Sequence, residues 1–366
     1  MTATELPRLA DLALVPAAAV AAAFLIAGLV VLGIGENPLT ATRLLIAGSL
    51  GSGEALGFTL FYATNFIFTG LAVAVAYHAG LFNIGGEGQA TIAGLGATLV
   101  CLNLGSLPGL LLVPLGIAGA ALFGAAWAFL PGWLQARRGS HVVITTIMFN
   151  WLASVLMVYV LVNLLRQAGS MNPESRGFPE HARVPFMHEV LGALGIAVQP
   201  SQLNVSLVLA LAAAFGVWVL IYRSRLGYAI RVVGQNPSAA LYAGISPARI
   251  TIVAMVLSGA LAGGLAVNEL MGYQHRLILE FSAGYGFVGI AVALMGRAHP
   301  AGIVLASLLF GMLYQGGAEL AFEQPRINRD MVVVIGGIVV LFVGALDRLF
   351  RSLVARTIAA ARTAAS

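Results

Sequence analysis

From Leu12 to Ile34 the chain carries no charged side chain, and a run of about 20 such residues is long enough to cross the apolar layer of a bilayer as a helix. Similar runs recur along the whole sequence. The spacing predicts ten of them, over 12–34, 56–78, 82–103, 107–131, 141–165, 203–222, 250–272, 285–297, 301–318 and 331–346. Inside lipid each backbone amide must be satisfied within the chain, so such runs are helices. The expected fold is all-α: a polytopic membrane bundle of about ten transmembrane helices in a single domain over 1–366. The eighth run is too short to span and is expected as a half-helix or re-entrant segment. No small-residue cleavage site follows the first run, which is expected to stay as a span and not act as a leader. Composition agrees. Hydrophobic residues make up 60% of the 366, charged residues 9%, and the mean hydropathy is +0.95, whereas a soluble domain is about a quarter charged.

The charges exclude several functions. All 19 basic residues are Arg, and Lys is absent. A phosphate-binding loop needs a Lys to reach the terminal phosphates, and Schiff-base chemistry needs one as nucleophile, so neither is expected here. Cys101 is the one cysteine and reads as a small buried hydrophobe. The six histidines lie at 78, 141, 181, 188, 275 and 299 without metal-ligand spacing, and no Ser, His and Asp set forms an elbow. Neither a catalytic residue nor a metal site is expected. The pI near 9.7 does not point to nucleic acid, because the arginines sit in short loops with no basic stripe of interleaved aromatics. Counted over alternate loops, twelve arginines fall on the side of Arg8 and Arg362 and seven on the other, where most of the acids also lie. The bias toward positive charge inside then places both termini in the cytoplasm.

The stretch "LFNIGGEGQA", residues 81–90, sets Asn83, Glu87 and Gln89 among three glycines. A carboxylate in a bilayer costs several kcal/mol unless it faces a cavity or a partner. Two readings of Glu87 stand: it faces a polar cavity, or it lies at the interface bonded to a nearby helix end. Gly85, Gly86 and Gly88 disfavour a regular helix, so this segment is expected to be unwound. Other polar residues interrupt the spans: Asn65 and Thr69, Asn150 and Trp151, Asn268, Glu269 and Gln274, and Gln315. Singly, each reads as an interhelical hydrogen bond. As a set they suggest a polar pathway near the midplane, and amides, which both donate and accept, suit a neutral polar solute.

Residues 166–202 form the longest loop, rich in Pro, Gly and charge, and are expected outside as a landing surface or a solvated connection. In residues 223–249, Asn236 can cap a helix, Pro237 suits its first turn and Gly244 can end it. That predicts a helix of about seven residues displaying Ala239, Ala240, Leu241 and Tyr242. A helix this short is unstable alone. It reads as a piece that docks into a groove of another protein, or as one lying on its own bundle.

"FNIGGEGQATIAG", "IRVVGQNPSAALYAGIS" and "GFVGIAVALMGRAHPAGI" resemble segments of nucleoside-type permeases in the branched-chain amino acid and ribose permease family of ABC importers. The resemblance covers residues 55–346. It implies a subunit of the bacterial plasma membrane that pairs with a second permease, identical or similar. It also implies a cytoplasmic ATP-binding subunit that carries ATP and Mg, and an extracytoplasmic substrate-binding protein; the chain itself would hold no cofactor. Carried over, Asn83 to Gln89 falls near the translocation path and Asn236 to Gly244 becomes the segment that couples to the ATPase. A proton-driven transporter working through Glu87, and the same importer role for riboflavin, sugars or branched-chain amino acids, are the alternatives.

Overall fold

The computed structural model describes residues 14–167, 169–324 and 326–327, with isolated positions at 334, 337, 338, 341 and 352. The expected tenth span, 331–346, lies outside the continuous stretches. Among the described residues every regular element is a helix, and three isolated β-bridges lie in the connections. They divide into two compact units, Met1–Ser52 with Met312–Ser366, and Gly53–Gly311.

In the first unit α1 (Val15–Gly33) is followed by α2 (Pro38–Leu50) across a bend of 119°. Asn37 makes that start possible: its Oδ1 accepts from the Leu39 amide at 2.9 Å, and Pro38 fits the first turn. The sequence reading placed residues 35–55 in a loop, so α2 is a correction. Thr40, Thr42, Arg43 and Ser49 interrupt its apolar pattern, and the Asn-Pro start signal is local and easily passed over. Ala27, Val31, Ala41, Leu320 and Ile327 form the core of this unit.

The second unit begins with α3 (Gly53–His78), followed by α4 (Gly86–Asn103), α5 (Gly109–Arg138) and α6 (Val142–Val160), which continues as a π-helix to Leu165. The segment from 166 to 205 contains α7 (Met187–Ala193). Then come α8 (Ser206–Arg223), α9 (Arg225–Gln235), α10 (Pro237–Tyr242) and α11 (Pro247–Ala266), which continues as a π-helix over Val267–Gln274. Finally α12 (Tyr285–Met295) precedes α13 (Pro300–Glu323), which is shared by both units.

Six of these helices are long and apolar enough to cross a membrane, seven if the bent α1–α2 pair counts as one span. The expected number was about ten. Two expected spans fall short: α4, because Glu87, Gln89, Asn103 and its glycines and threonines make it too polar over its 18 residues, and α12, because it has only 11 residues. Burial sorts the long helices. In α3, 83% of the apolar window is buried and in α6 only 22%. A helix buried on all sides lies within the bundle, and one buried on a stripe leaves the rest to lipid or a partner.

The central helices approach backbone to backbone. A methyl group on Gly259 of α11 would collide with the carbonyl oxygen of Gly124 in α5, and one on Gly124 with that of Gly259. In lipid, where apolar side chains gain little by meeting one another, such close contact supplies the packing energy. Gly259→Leu should therefore shift the backbones and cost about 1–3 kcal/mol or more, seen as a lower unfolding midpoint of the detergent-purified chain. Gly216→Ala in α8, where the added methyl meets nothing within 4 Å, should leave the midpoint in place. Equal midpoints for both variants would show that the α5–α11 crossing does not depend on glycine.

Candidate functional site

The turn between α3 and α4 is built by one asparagine. Asn83 Oδ1 accepts from the Gly85 amide at 2.8 Å, closing an Asx-type turn. Its Nδ2 donates to Ser258 Oγ of α11 at 2.8 Å and to Gln89 Oε1 at 3.1 Å, and Gln89 Nε2 returns to Asn83 Oδ1 at 3.2 Å. Ser258 in turn donates to the Ala72 carbonyl of α3 at 2.6 Å. Asn83 and Gln89 are both buried, and together they tie α3, α4 and α11. Asn150 of α6 secures the same turn from the other side: Oδ1 accepts from the Gly88 amide at 2.9 Å and Nδ2 donates to the Ile84 carbonyl at 3.0 Å.

The glycine-rich segment is helical from Gly86 onward, so the expectation of an unwound segment is corrected. Its glycines serve close approach. A methyl on Gly88 would stand 2.9 Å from Asn150 Cα, and one on Gly86 would stand 3.3 Å from the Gly286 carbonyl oxygen of α12. The irregular stretch is instead 81–84, just upstream.

Glu87 lies in the first turn of α4 and reaches across to the start of α12. Its Oε1 accepts from Ser282 Oγ at 2.6 Å and the Gly284 amide at 2.9 Å, and its Oε2 accepts from the Gly286 amide at 2.8 Å. A helix N-terminus carries about half a positive charge and unpaired amides. The carboxylate sits at two of them, so negative charge is compensated here by backbone dipoles. Left-handed φ angles at Glu280 (55°), Ala283 (44°) and Gly284 (79°) curl the chain around it. Both sequence readings of Glu87 meet here, because it bonds a helix end and also lines a cavity of about 370 Å³. That cavity includes Thr91, Asn150, Trp151, Ser282 and Phe287 in its wall. Trp151, 72% exposed, and Phe287 present ring surface at its edge.

A second buried network joins α3 to the π-helical end of α11. Asn65 Nδ2 donates to Glu269 Oε1 at 2.6 Å, and Asn268 Nδ2 donates to Asn65 Oδ1 at 2.9 Å. Asn204, before α8, donates to Asn268 Oδ1 at 3.0 Å. Thr69 folds back onto the Asn65 carbonyl. Of the expected pathway residues, Asn83, Glu87, Gln89 and Asn150 belong to the first constellation, with Trp151 at its rim. Asn65, Asn268 and Glu269 belong to the second. Gln315 Nε2 donates to Glu319 Oε1 at 3.4 Å, within its own helix. Ser258, Ser282 and Asn204 were missed. Ser282, just ahead of a Gly-rich helix start, carried a local signal; the other two are recognisable only from their partners.

Beyond the second network, His275 has a left-handed φ of 55° and packs edge-on against Phe186, ring centroids 5.8 Å apart. Burial, and then the nearby Arg183, push its imidazole below the ordinary histidine range.

Residues 223–249 contain more helix than expected. α9 precedes α10, and Ser224 caps it by accepting from the Gly227 amide at 2.9 Å. α10 forms as the sequence reading has it: Asn236 Oδ1 accepts from the Ala239 amide at 3.0 Å, Pro237 stands in the first turn, and Gly244 has φ +75°. One element differs, because Ala240 is wholly buried while Leu241 (63%) and Tyr242 (96%) are exposed. A single helical turn cannot show four consecutive residues on one face.

The family described as the branched-chain amino acid transport system / permease component matches residues 55–344. The nucleoside ABC transporter permease protein NupB of Lactococcus lactis subsp. cremoris is 34% identical over 332 residues, 90% of each chain. The guanosine ABC transporter permease protein NupP of Bacillus subtilis is 33% identical, covering 91% of this chain and 93% of its own. The glucose ABC transporter permease protein TsgB13 of Haloferax volcanii is 32% identical, covering 89% and 86%.

Glu87→Ala leaves three donors without their acceptor. A hydrogen bond to a charged group contributes about 1.5–3 kcal/mol, so the variant should lose at least about 3 kcal/mol of stability, read from its unfolding midpoint. Glu87→Gln, which keeps one acceptor oxygen, should fall between. An unchanged midpoint for Glu87→Ala would contradict the capping role.

Proposed function

Because this chain belongs to the branched-chain amino acid transport system permease family, we propose that it is the membrane subunit of an ATP-driven importer of nucleosides. The substrate class is carried by two relatives, named for nucleosides and for guanosine, which align over about nine-tenths of this chain and of their own. The geometry supports the same class. The positive end of α12 is already occupied by Glu87, so the cavity beside it offers little to an anion and favours a neutral solute. Trp151 and Phe287 suit the faces of a heterocycle, and hydroxyl and carboxamide groups on the same wall suit a sugar.

In this reading Asn65, Asn83, Glu87, Gln89, Asn150, Trp151, Asn268 and Glu269 shape or line the passage. Most are bonded to one another, so their part is to hold it open in one geometry; Trp151 is free to meet the solute. ATP is hydrolysed on a separate subunit, as the absence of Lys requires of a standard site. Leu241 and Tyr242 project from α10 to meet that subunit, and Asn236, Pro237, Ala239 and Gly244 set the helix that presents them. A second permease subunit completes the passage, and residues 166–202 face the substrate-binding protein outside. Both termini lie in the cytoplasm of a bacterial cell, and α4 and α12 add to the longer spans as further membrane segments.

The test is uptake by the complex reconstituted with its binding protein in vesicles. Labelled uridine should enter only with ATP, be competed by unlabelled adenosine, and be unaffected by glucose or leucine at the same concentration. Competition by glucose in preference to adenosine would assign the sugar reading. Leu241→Asp with Tyr242→Asp should cut uptake about ten-fold or more while the chain remains in the membrane, since charges replace apolar anchors at an interface centre. Uptake and ATPase rates equal to those of the unaltered complex would remove α10 from coupling.

A further inference from the structure

A cavity of about 490 Å³ lies at the foot of α3, where α9 passes beneath it. Its wall combines two chemistries. Tyr77, Leu81 and Phe82 supply apolar surface; Arg231 and Gln235 supply hydrogen-bond donors, while His78 donates its Nε2 proton to the Ala298 carbonyl at 3.0 Å. Arg231 is the cationic member. Its guanidinium stands over the Tyr222 ring at 5.6 Å, its Nε is buried without a hydrogen-bond partner, and among the described residues no carboxylate pairs with it. Residues 223–249 contain four arginines and no acid. A buried donor on a cation that lacks an anion is costly unless a ligand supplies one.

We infer that this cavity seats the phosphate of an anionic phospholipid from the inner leaflet. Position favours lipid over a free anion. Tyr77 and His78 are the last two residues of a membrane-crossing helix, the depth at which headgroups and interfacial tyrosines meet. The apolar half of the wall suits the glycerol and first acyl carbons, which inorganic phosphate lacks. Basic pockets at the cytoplasmic ends of helices hold such headgroups. Arg231 and Gln235 lie on α9, directly before α10, so a bound lipid would brace the helix that carries the coupling segment.

The inference rests on the proposed cytoplasmic placement of α9, but its test does not need transport, so the two can fail separately. The full-length chain, purified in detergent, is titrated with dihexanoyl phosphatidylglycerol, dihexanoyl phosphatidylcholine and inorganic phosphate, with bound species counted by native mass spectrometry. Phosphatidylglycerol should be retained about five-fold over phosphatidylcholine, the scale of one interfacial arginine. Arg231→Gln should abolish the preference, and Arg231→Lys and Arg43→Gln should keep it. If Arg231→Gln does not fold, Phe82→Glu, which sets a carboxylate in the cavity, should likewise abolish it. Equal retention of both lipids, or a preference that survives Arg231→Gln, would overturn the site. Displacement of phosphatidylglycerol by an equal concentration of inorganic phosphate would overturn the lipid assignment.

Discussion

A carboxylate inside an apolar bundle must be compensated, and here the compensation comes from backbone. Glu87 bonds Ser282 and the amides of Gly284 and Gly286, joining the first turn of α4 to the first turn of α12 over almost 200 residues of chain. α12 has 11 residues, too few to cross a bilayer on its own. The first amides of a helix have no partner within it, and here Glu87 takes those of Gly284 and Gly286. A short helix in this position needs an acceptor from elsewhere in the chain, and the acidic side chain needs donors. Each resolves the unsatisfied group of the other, which explains why a costly residue and an incomplete span occur together.

The rest of the centre follows from the closeness this bond demands. Gly286 presses on Glu87 and Gly86, Gly88 presses on Asn150, and Gly124 meets Gly259. Helices that approach at backbone distance leave no room for large side chains. The polar groups that remain are short: Asn83, Gln89, Asn150 and Ser258 around the turn, and Asn65, Asn204 and Asn268 around Glu269. Each amide is used at both ends or nearly so. Fully connected networks of this kind specify one arrangement, because any slip leaves a donor unpaired in a low-dielectric interior.

Much of this was legible in the sequence. Unbroken apolar runs fixed the class, since lipid admits few alternatives to a helix. α10 could be read almost residue for residue, because caps depend on neighbours one to three positions away. Glu87, Asn83, Gln89 and Asn150 drew notice as polar residues in apolar surroundings. What could not be read was the partnership. Ser282 and Ser258 look ordinary until α12 and α11 are placed, and Asn204 lies at the edge of an apolar run. The unwound reading of the glycine segment erred by taking glycine as a conformational signal, when its role there is to admit a neighbouring backbone. The α2 helix was hidden because its interrupted pattern resembles that of a loop.

The same closeness ties α10 to the turn around Glu87. Ala240 packs α10 inward, and α9 runs directly into it. At the end that meets α10, α9 carries Gly234, whose backbone lies against His78 and Gly80 at the close of α3. A side chain at Gly234 would collide with the His78 carbonyl, so α9 and the turn have no slack between them. From Gly80 the chain passes in a few residues to Asn83, and through the Asx turn to Glu87 and the start of α12. Through α9, α10 is thus joined by backbone contact to the turn that Asn83, Gln89 and Asn150 hold through their hydrogen bonds. The helices on either side are locked by their own hydrogen bonds. The polar wall of the Glu87 cavity stands immediately beyond that turn.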